Sequence, residues 1–261
     1  MLKNEVAIVT GGGGNLGAAI ARKLADQGVF TVVCGRTAAT LKVTVAEIAA
    51  RGGTADWYCA DVTSCDDWEK MVDEVQRRAG MPVSILVNNA ARFTWRAFRD
   101  WDPRAFRDVL DSNLLSAMYG SRAVMDGMRA RGGGSIINIS SVHGIVADKN
   151  VAPHVATKFG LNGLTLALAQ DLKDDKIRVN AVCPGAVEKD PAKVAALANE
   201  WPGTRMLLAD DVADVVTFLA SPRRTRHDGR SGARLRENPP GHQDFVRRGP
   251  GSCSDPGTRL P

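Results

Sequence analysis

The feature that most constrains this chain is a glycine-rich segment near its start, residues 10–17 (Thr-Gly-Gly-Gly-Gly-Asn-Leu-Gly). It follows an apolar run at residues 6–9 and precedes small and apolar residues at helical spacing over 18–25. In a strand, glycine turn and helix of this kind, the backbone approaches a diphosphate closely and the helix N-terminus offers unpaired N–H groups. The segment therefore predicts a dinucleotide-binding turn. For the glycines alone, a flexible turn without a ligand is the alternative.

Five further strand-like runs follow the first, with helical patterns between them. The predicted strands are residues 6–10, 30–34, 56–60, 85–88, 135–139 and 177–182, and the predicted helices lie near 16–27, 38–51, 66–79, 104–131, 153–173 and 212–220. Alternating strands and helices predict right-handed crossovers and a parallel sheet. We therefore expect an α/β fold, a single Rossmann-type doubly wound parallel sheet with helices on both faces.

The composition favours a cytoplasmic protein. An apolar fraction of 44% is enough for a substantial core. No apolar run approaches the roughly 20 residues that a bilayer span needs, and no secretory signal pattern opens the chain. The five cysteines lack metal-like spacing. These features predict reduced thiols, no metal and no membrane segment.

The composition changes abruptly after Ala220. Residues 221–261 hold nine arginines, four acidic residues, six prolines and six glycines, and they account for the whole net charge of +5. We expect residues 1–220 to form the dinucleotide-binding domain and residues 221–261 a disordered basic tail, because the tail has too little apolar surface to offset its ordering entropy. Nucleic-acid binding is not expected of the domain. For the tail, contact with nucleic acid or an anionic surface and a shifted reading frame near Ser221 are the alternatives.

Several short motifs in a fixed order resemble the short-chain dehydrogenase/reductase family. They are the glycine turn, Asp61-Val62, Asn88-Asn89-Ala90, Asn113, Ile139-Ser140-Ser141, Lys158, and residues 180–185 (Asn-Ala-Val-Cys-Pro-Gly). Each motif is common alone. The resemblance that they form together covers roughly residues 3–221. The resemblance implies hydride transfer between a nicotinamide cofactor and a carbonyl or secondary-alcohol substrate. It also implies a homodimer or homotetramer, which the atypical tail would weaken.

The same resemblance implies a role for each matching residue. The glycine turn would hold the diphosphate, Asp61 would bond the adenine amino group, and Val62 would flank the adenine ring. Ser141 would orient the substrate carbonyl, Lys158 would bind the nicotinamide ribose, and Asn113 would complete a proton path through water. The remaining cofactor contacts would come from Gly11, Asn15, Leu16, Gly17, Asn88, Ala90, Pro184, Gly185 and Val187.

The family's catalytic tyrosine is replaced by a histidine. His154 stands four residues before Lys158 and thirteen after Ser141, whereas Tyr58 and Tyr119 fall elsewhere. Imidazole exchanges protons, but the Lys158 ammonium would lower its pKa, and neutral imidazole is a poor donor to a forming alkoxide. We expect His154 to be an imperfect proton relay. The alternative is a catalytically inactive nucleotide-binding protein descended from such an enzyme.

Arg36 favours NADP(H) over NAD(H). It follows the second predicted strand, where an acidic residue would bond the ribose 2′-OH of NAD and an arginine suits a 2′-phosphate. A solvated arginine in a loop is the alternative.

Four further features of the sequence bear on the site or on the fold. Asn15 replaces the middle glycine of the family turn, and we expect it to adopt a positive φ. Lys189 stands where the family often has a threonine near the nicotinamide amide. His143 is expected to form a wall of the site. No apolar run after residue 220 matches the family's last strand, so we expect that strand to be missing.

Overall fold

The computed structural model describes residues 2–188, 190, 192–194 and 206–221. The predictions made for Lys189 and for the basic tail beyond Ser221 therefore lie outside the described residues.

Six strands form one parallel sheet. They are β1 (Val6–Thr10), β2 (Phe30–Gly35), β3 (Ala55–Cys59), β4 (Ile85–Asn88), β5 (Gly134–Ile139) and β6 (Ile177–Val182). Their spatial order is β3-β2-β1-β4-β5-β6, and every adjacent pair is parallel. The order reverses between β1 and β4, so a crevice opens at the carboxyl ends of these two strands. The predicted doubly wound sheet is confirmed, and each strand lies within one residue of its expected bounds.

The helices also follow the sequence pattern, with one interruption. They are α1 (Asn15–Asp26), α2 (Ala38–Ala50), α3 (Cys65–Ala79), α4 (Pro103–Leu110), α5 (Ser116–Ala130), α6 (Ala152–Asp171) and α7 (Ala209–Ala220). The single helix predicted over residues 104–131 is divided by a π-helical turn at Asp111–Leu115, which separates α4 from α5. Such a turn holds one residue more than a regular α-turn and often occurs at functional sites.

Two apolar clusters cover the two faces of the sheet. Successive side chains of a strand point to opposite faces, and alternate residues of β1 accordingly belong to different clusters. Ala7 and Val9 pack with Ile20 and Leu24 of α1, whereas Ile8 packs with residues of α3 and α5. Since each face is covered by helices, the central strands β1 and β4 are almost entirely apolar, whereas β3, β5 and β6 also carry polar residues.

Within the described residues, β3 and β6 are the two outer strands of the sheet. A separate two-stranded parallel pair joins β7 (Val187–Glu188) to β8 (Leu207–Leu208).

Among the described residues, no helix is both long and apolar enough to cross a bilayer. No group of three or more metal-ligating side chains is gathered there either.

Candidate active site

The glycine turn joins β1 to α1 with almost no space for side chains. Gly11 has a φ of +63°, which favours glycine. A Cβ atom on Gly17 would lie 2.3 Å from the Gly11 carbonyl oxygen, and one on Gly12 would lie 2.5 Å from Cβ of Val33. The helix begins after Gly14, whose cap position has no side-chain hydrogen bond. The N-terminus of α1 is thus left without a side-chain cap.

The positive φ expected for Asn15 is wrong. Asn15 is the first residue of α1 and therefore has helical backbone angles. The left-handed conformation falls four residues earlier, on Gly11. The physical reason is the position of the helix start, because a residue inside the first turn must have a negative φ.

A cavity of about 640 Å³ lies beside this turn. Eight of the predicted cofactor-binding residues line it: Gly11, Asn15, Leu16, Gly17, Arg36, Asp61, Val62 and Ala90. The opposite wall is formed by Arg92, by Asp108 of α4, and by Asp111 and Ser112 of the π-turn. The sequence pattern did not indicate these four residues.

Charged groups border the cavity near Asp61. Its carboxylate accepts hydrogen bonds from the Thr63 backbone N–H (3.0 Å) and the Thr63 hydroxyl (2.8 Å). These bonds lower the pKa of Asp61, with smaller contributions from the charges of Arg36 and Arg92. Arg36 is exposed, and the Arg92 guanidinium lies 4.0 Å from Asp108. Arg36 and the N-terminus of α1 offer positive charge to a ligand in this cavity, which Asp61, Asp108 and Asp111 also line.

The segment after β4 is fixed by Thr10. The Thr10 hydroxyl oxygen accepts hydrogen bonds from the backbone N–H groups of Asn89 (2.8 Å) and Ala90 (2.9 Å), and the Asn89 amide donates to the Thr10 carbonyl (2.8 Å). Asn88 is turned away from the cavity, because its amide donates to Asn138 Oδ1 (2.8 Å) in the next strand. Asn88 therefore joins β4 to β5.

Asn113 joins the π-turn to α6. Its Oδ1 accepts a hydrogen bond from the Arg92 N–H (2.7 Å), and its Nδ2 donates to the Arg92 carbonyl (2.9 Å) and to the Thr157 hydroxyl (3.3 Å). The Thr157 hydroxyl in turn donates to the His154 carbonyl (2.8 Å). Asn113 is buried and holds two segments of the site at a fixed distance. Its role in a water path stays a prediction.

His143 links the turn capped by Ser141 to the His154 ring. Ser141 ends the segment after β5 and caps a short 3₁₀ turn, where its hydroxyl accepts a hydrogen bond from the His143 N–H (3.1 Å). The His143 ring packs edge-to-face against the His154 ring, with centroids 5.6 Å apart. Phe93 also contacts His154 edge-to-face, at 4.9 Å. His143 therefore packs beside His154, and its role as a wall of the site stays a prediction.

His154 and Lys158 lie one turn apart on α6, and both are buried. The Lys158 ammonium donates to the Ile139 carbonyl (2.7 Å), and burial lowers the pKa of Lys158 to about 8. Burial lowers the pKa of His154 to about 4, assisted by the charges of Lys158 and His143. Within the described part of the chain, His154 Nδ1 is buried without a hydrogen-bond partner. At neutral pH the two groups are therefore a neutral imidazole and a cationic ammonium.

The segment after β6 lies beside the Ser141 turn. The Pro184 carbonyl accepts a hydrogen bond from the Val142 N–H (2.9 Å), and a Cβ on Gly185 would be 4.0 Å from the Val142 side chain. Pro184 and Gly185 are thus placed near the predicted catalytic residues. Val187 instead lies in β7 and packs against the apolar cluster on the α1 side of the sheet.

The sequence analysis missed the aromatic segment after Arg92. In a chain with only 5% aromatic residues, Phe93, Trp95 and Phe98 occur within six positions. This local concentration of aromatic residues is the sequence signal that could have revealed the segment. The chain's two tyrosines are no substitute for the missing acid, because Tyr58 and Tyr119 pack against the apolar cluster that contains Trp68.

The depressed pKa of His154 predicts a loss of stability in acid. The unfolded chain takes up this proton near pH 6.5, whereas the folded protein takes it up only near pH 4. Stability therefore falls as the pH decreases through this window, by up to about 3 kcal/mol. Urea unfolding at pH 7 and pH 5 should show a smaller loss for His154→Phe than for the wild type. An equal loss in both proteins would contradict the assignment.

Comparison with known proteins agrees with this geometry. The family model for short chain dehydrogenases matches residues 5–200. An acetoacetyl-CoA reductase of Allochromatium vinosum is 36% identical over 225 residues, which are 83% of this chain and 91% of the relative. A 3alpha-hydroxysteroid dehydrogenase of Mediterraneibacter gnavus is 33% identical over 230 residues, which cover 85% and 91%.

A solved structure shows the same relationship in three dimensions. A tryptophan-substituted variant of the actinorhodin polyketide ketoreductase, crystallised with NADPH, superimposes with a TM-score of 0.76 and 34% sequence identity. The match covers 85% of this chain and 93% of that one. The glycine turn, the sheet order, the segment from Ser141 to Lys158 and these similarities lead to one conclusion: the chain belongs to the short-chain dehydrogenase family.

Proposed function

We propose that this oxidoreductase transfers hydride between NADP(H) and a carbonyl or secondary-alcohol substrate, with His154 as an atypical proton relay. The observation that carries the proposal is the convergence of two parts of the chain on one end of the sheet. The first is the cavity beside the glycine turn, and the second is the buried pair His154 and Lys158, which His143 links to the turn capped by Ser141. Family membership makes hydride transfer the expected chemistry, and the cofactor form and the proton path are the proposed details.

The residues around the cavity fit a dinucleotide. The clashes that a Cβ would make at Gly12 and Gly17 keep the turn bare, so its backbone can approach a diphosphate. Arg36 borders the same cavity and supplies a cation for a 2′-phosphate. When bound, the nicotinamide ring supplies or accepts the hydride.

The proton path would depend on this chain's own side chains. Ser141 would donate a hydrogen bond to the substrate oxygen and so orient it. The neutral His154 imidazole has one nitrogen lone pair and would accept a proton during alcohol oxidation. For reduction, a group with a pKa of about 4 is protonated in only about one molecule in 1,000 at pH 7. The relay should therefore serve oxidation better than reduction.

A second candidate function follows from the same pKa. If His154 moves no proton, the protein is a nucleotide-binding member of the family without turnover. Oxidation of NADPH with a panel of ketones, measured beside NADPH binding, separates the two functions. Binding with turnover supports the enzyme, binding without turnover supports the second function, and absence of binding contradicts both.

Arg36→Ala is expected to weaken NADPH binding by about tenfold and to leave NADH binding nearly unchanged, because one charge-assisted contact to the 2′-phosphate is lost. Fluorescence titration of both cofactors measures the ratio. Arg122→Ala is the matched control, since Arg122 is exposed on α5 and does not line the cavity. Equal losses for both cofactors would contradict the preference.

We also propose a cytoplasmic homodimer or homotetramer that acts on a small molecule. The four described cysteines, Cys34, Cys59, Cys65 and Cys183, are free thiols, which supports a reducing compartment. Exposed apolar side chains on α5 and α6, among them Met118 and Leu166, support association through these helices.

A further inference from the structure

Exposed apolar side chains are concentrated on two segments that flank His154. Thirteen large apolar residues are exposed in the described part of the chain. Six of them lie within residues 91–101 and 141–150: Phe93, Trp95, Phe98, Val142, Ile145 and Val146. Exposed apolar side chains that are concentrated in this way usually mark a binding surface.

Four rings in this region form one continuous row. Trp95 contacts Phe93 at a centroid distance of 5.8 Å, Phe93 contacts His154 at 4.9 Å, and His154 contacts His143 at 5.6 Å. We call these four residues the ring row. The two segments that carry it are also joined by a hydrogen bond from the Arg96 N–H to the Asn150 carbonyl (2.8 Å). The row is therefore held by contacts between separate parts of the chain.

The exposed fraction of the side chains differs along the ring row. His154, in its interior, is 8% exposed, whereas Phe93 and Trp95 are 52% and 54% exposed. A ligand that places a polar oxygen at Ser141 and His154 would extend over two aromatic rings. Offset or edge-to-face contacts with such rings favour a flat, unsaturated ligand.

The three arginines of residues 91–101 each lie beside another group of that region. The guanidinium of Arg92 lies 4.0 Å from Asp108, that of Arg96 lies 5.2 Å from the Trp101 ring centroid, and that of Arg99 lies 3.6 Å from Asp100. An acidic substrate would thus meet rings in place of a dedicated cation, and burial of its charge would be unfavourable.

We infer that the substrate is an uncharged aryl or fused-ring ketone, or the corresponding alcohol, whose ring system packs on Phe93 and Trp95. This inference rests on the proposed function, because it places the carbonyl at Ser141 and His154. It adds the substrate class, which the family alone does not give.

Binding tests the inference without requiring turnover. The probe is 2-acetonaphthone, titrated by calorimetry into the full-length protein with and without NADP⁺, which holds no hydride to transfer. Acetoacetate and dihydroxyacetone are the charged and the hydrophilic comparison ketones. We expect 2-acetonaphthone to bind at least tenfold more tightly than either. Equal or weaker binding would overturn the inference.

Two variants and a control locate the bound ring. Phe93→Ala and Trp95→Ala should each weaken binding of 2-acetonaphthone by roughly five- to tenfold. Phe218→Ala should leave it unchanged, because Phe218 is 69% exposed on α7 and makes none of the ring contacts of the row. Retained NADPH affinity shows that each variant is folded.

The outcomes separate this inference from the proposed function. Loss of affinity in Phe93→Ala and Trp95→Ala, but not in Phe218→Ala, supports the ring row as the binding surface. Equal affinity in all three variants overturns it. A protein that binds no cofactor contradicts the proposed function, and the titration without NADP⁺ then still decides whether the ring row binds the ketone.

Discussion

His154→Tyr is expected to raise the rate of ketone reduction at pH 7 by about 100-fold, which is the lower range for a well-placed general acid. A phenol beside the Lys158 ammonium keeps its proton at neutral pH and still donates it to a forming alkoxide. The present imidazole has a pKa of about 4 and is rarely protonated. Single-turnover oxidation of bound NADPH with a reactive ketone measures the change.

His154→Phe is the control for that experiment. Phenylalanine keeps a ring against Phe93 and His143 and removes every exchangeable proton. If His154 is the relay, His154→Phe should abolish the remaining turnover while cofactor binding persists. If tyrosine brings no gain and phenylalanine costs nothing, His154 does not take part in proton transfer.

Gly17→Ala is expected to weaken NADPH binding by at least about 100-fold, equivalent to about 3 kcal/mol. The added Cβ would lie 2.3 Å from the Gly11 carbonyl oxygen and 2.8 Å from the Asn89 side chain. The first neighbour is backbone and cannot rotate away, so the turn and the start of α1 must move. Fluorescence titration with NADPH measures the loss.

Gly163→Ala is the matched control for this substitution. Gly163 is also helical, in α6, and nothing lies within 4 Å of the Cβ that it would acquire. Alanine there should leave cofactor binding unchanged and stabilise the helix by about 0.5–1 kcal/mol. Unaltered NADPH affinity in Gly17→Ala would show that the turn does not hold the diphosphate.

The sequence predicted the fold well because apolar periodicity and glycine punctuation are local signals. The central strands β1 and β4 are short apolar runs, because both of their faces are buried. The long helical pattern over residues 104–131 gave no sign of the π-turn, because one extra residue hardly changes the spacing of apolar side chains. The φ of Asn15 was mispredicted because the helix start was placed one residue too late.

The candidate site was predictable only in part. Positions such as Asp61, Ser141 and Lys158 are fixed by spacing along the chain. Asp61 and Ser141 follow the carboxyl ends of β3 and β5, and the Lys158 ammonium reaches from α6 to the last carbonyl of β5. The partnership of Asn113 with Arg92 joins residues 21 positions apart, so sequence spacing gives no sign of it. The pKa of His154 depends on burial, which only the packed fold creates.

The π-turn at Asp111–Leu115 makes this stretch unusually sensitive to a change in length. Removing one residue there would restore regular winding and rotate the preceding helix by about 100° relative to the following one. Asn113 would then turn away from the Arg92 backbone, and the cavity wall formed by Asp108 would swing with it. A deletion that a surface loop would tolerate should here disconnect the cavity beside the glycine turn from the helix that carries His154.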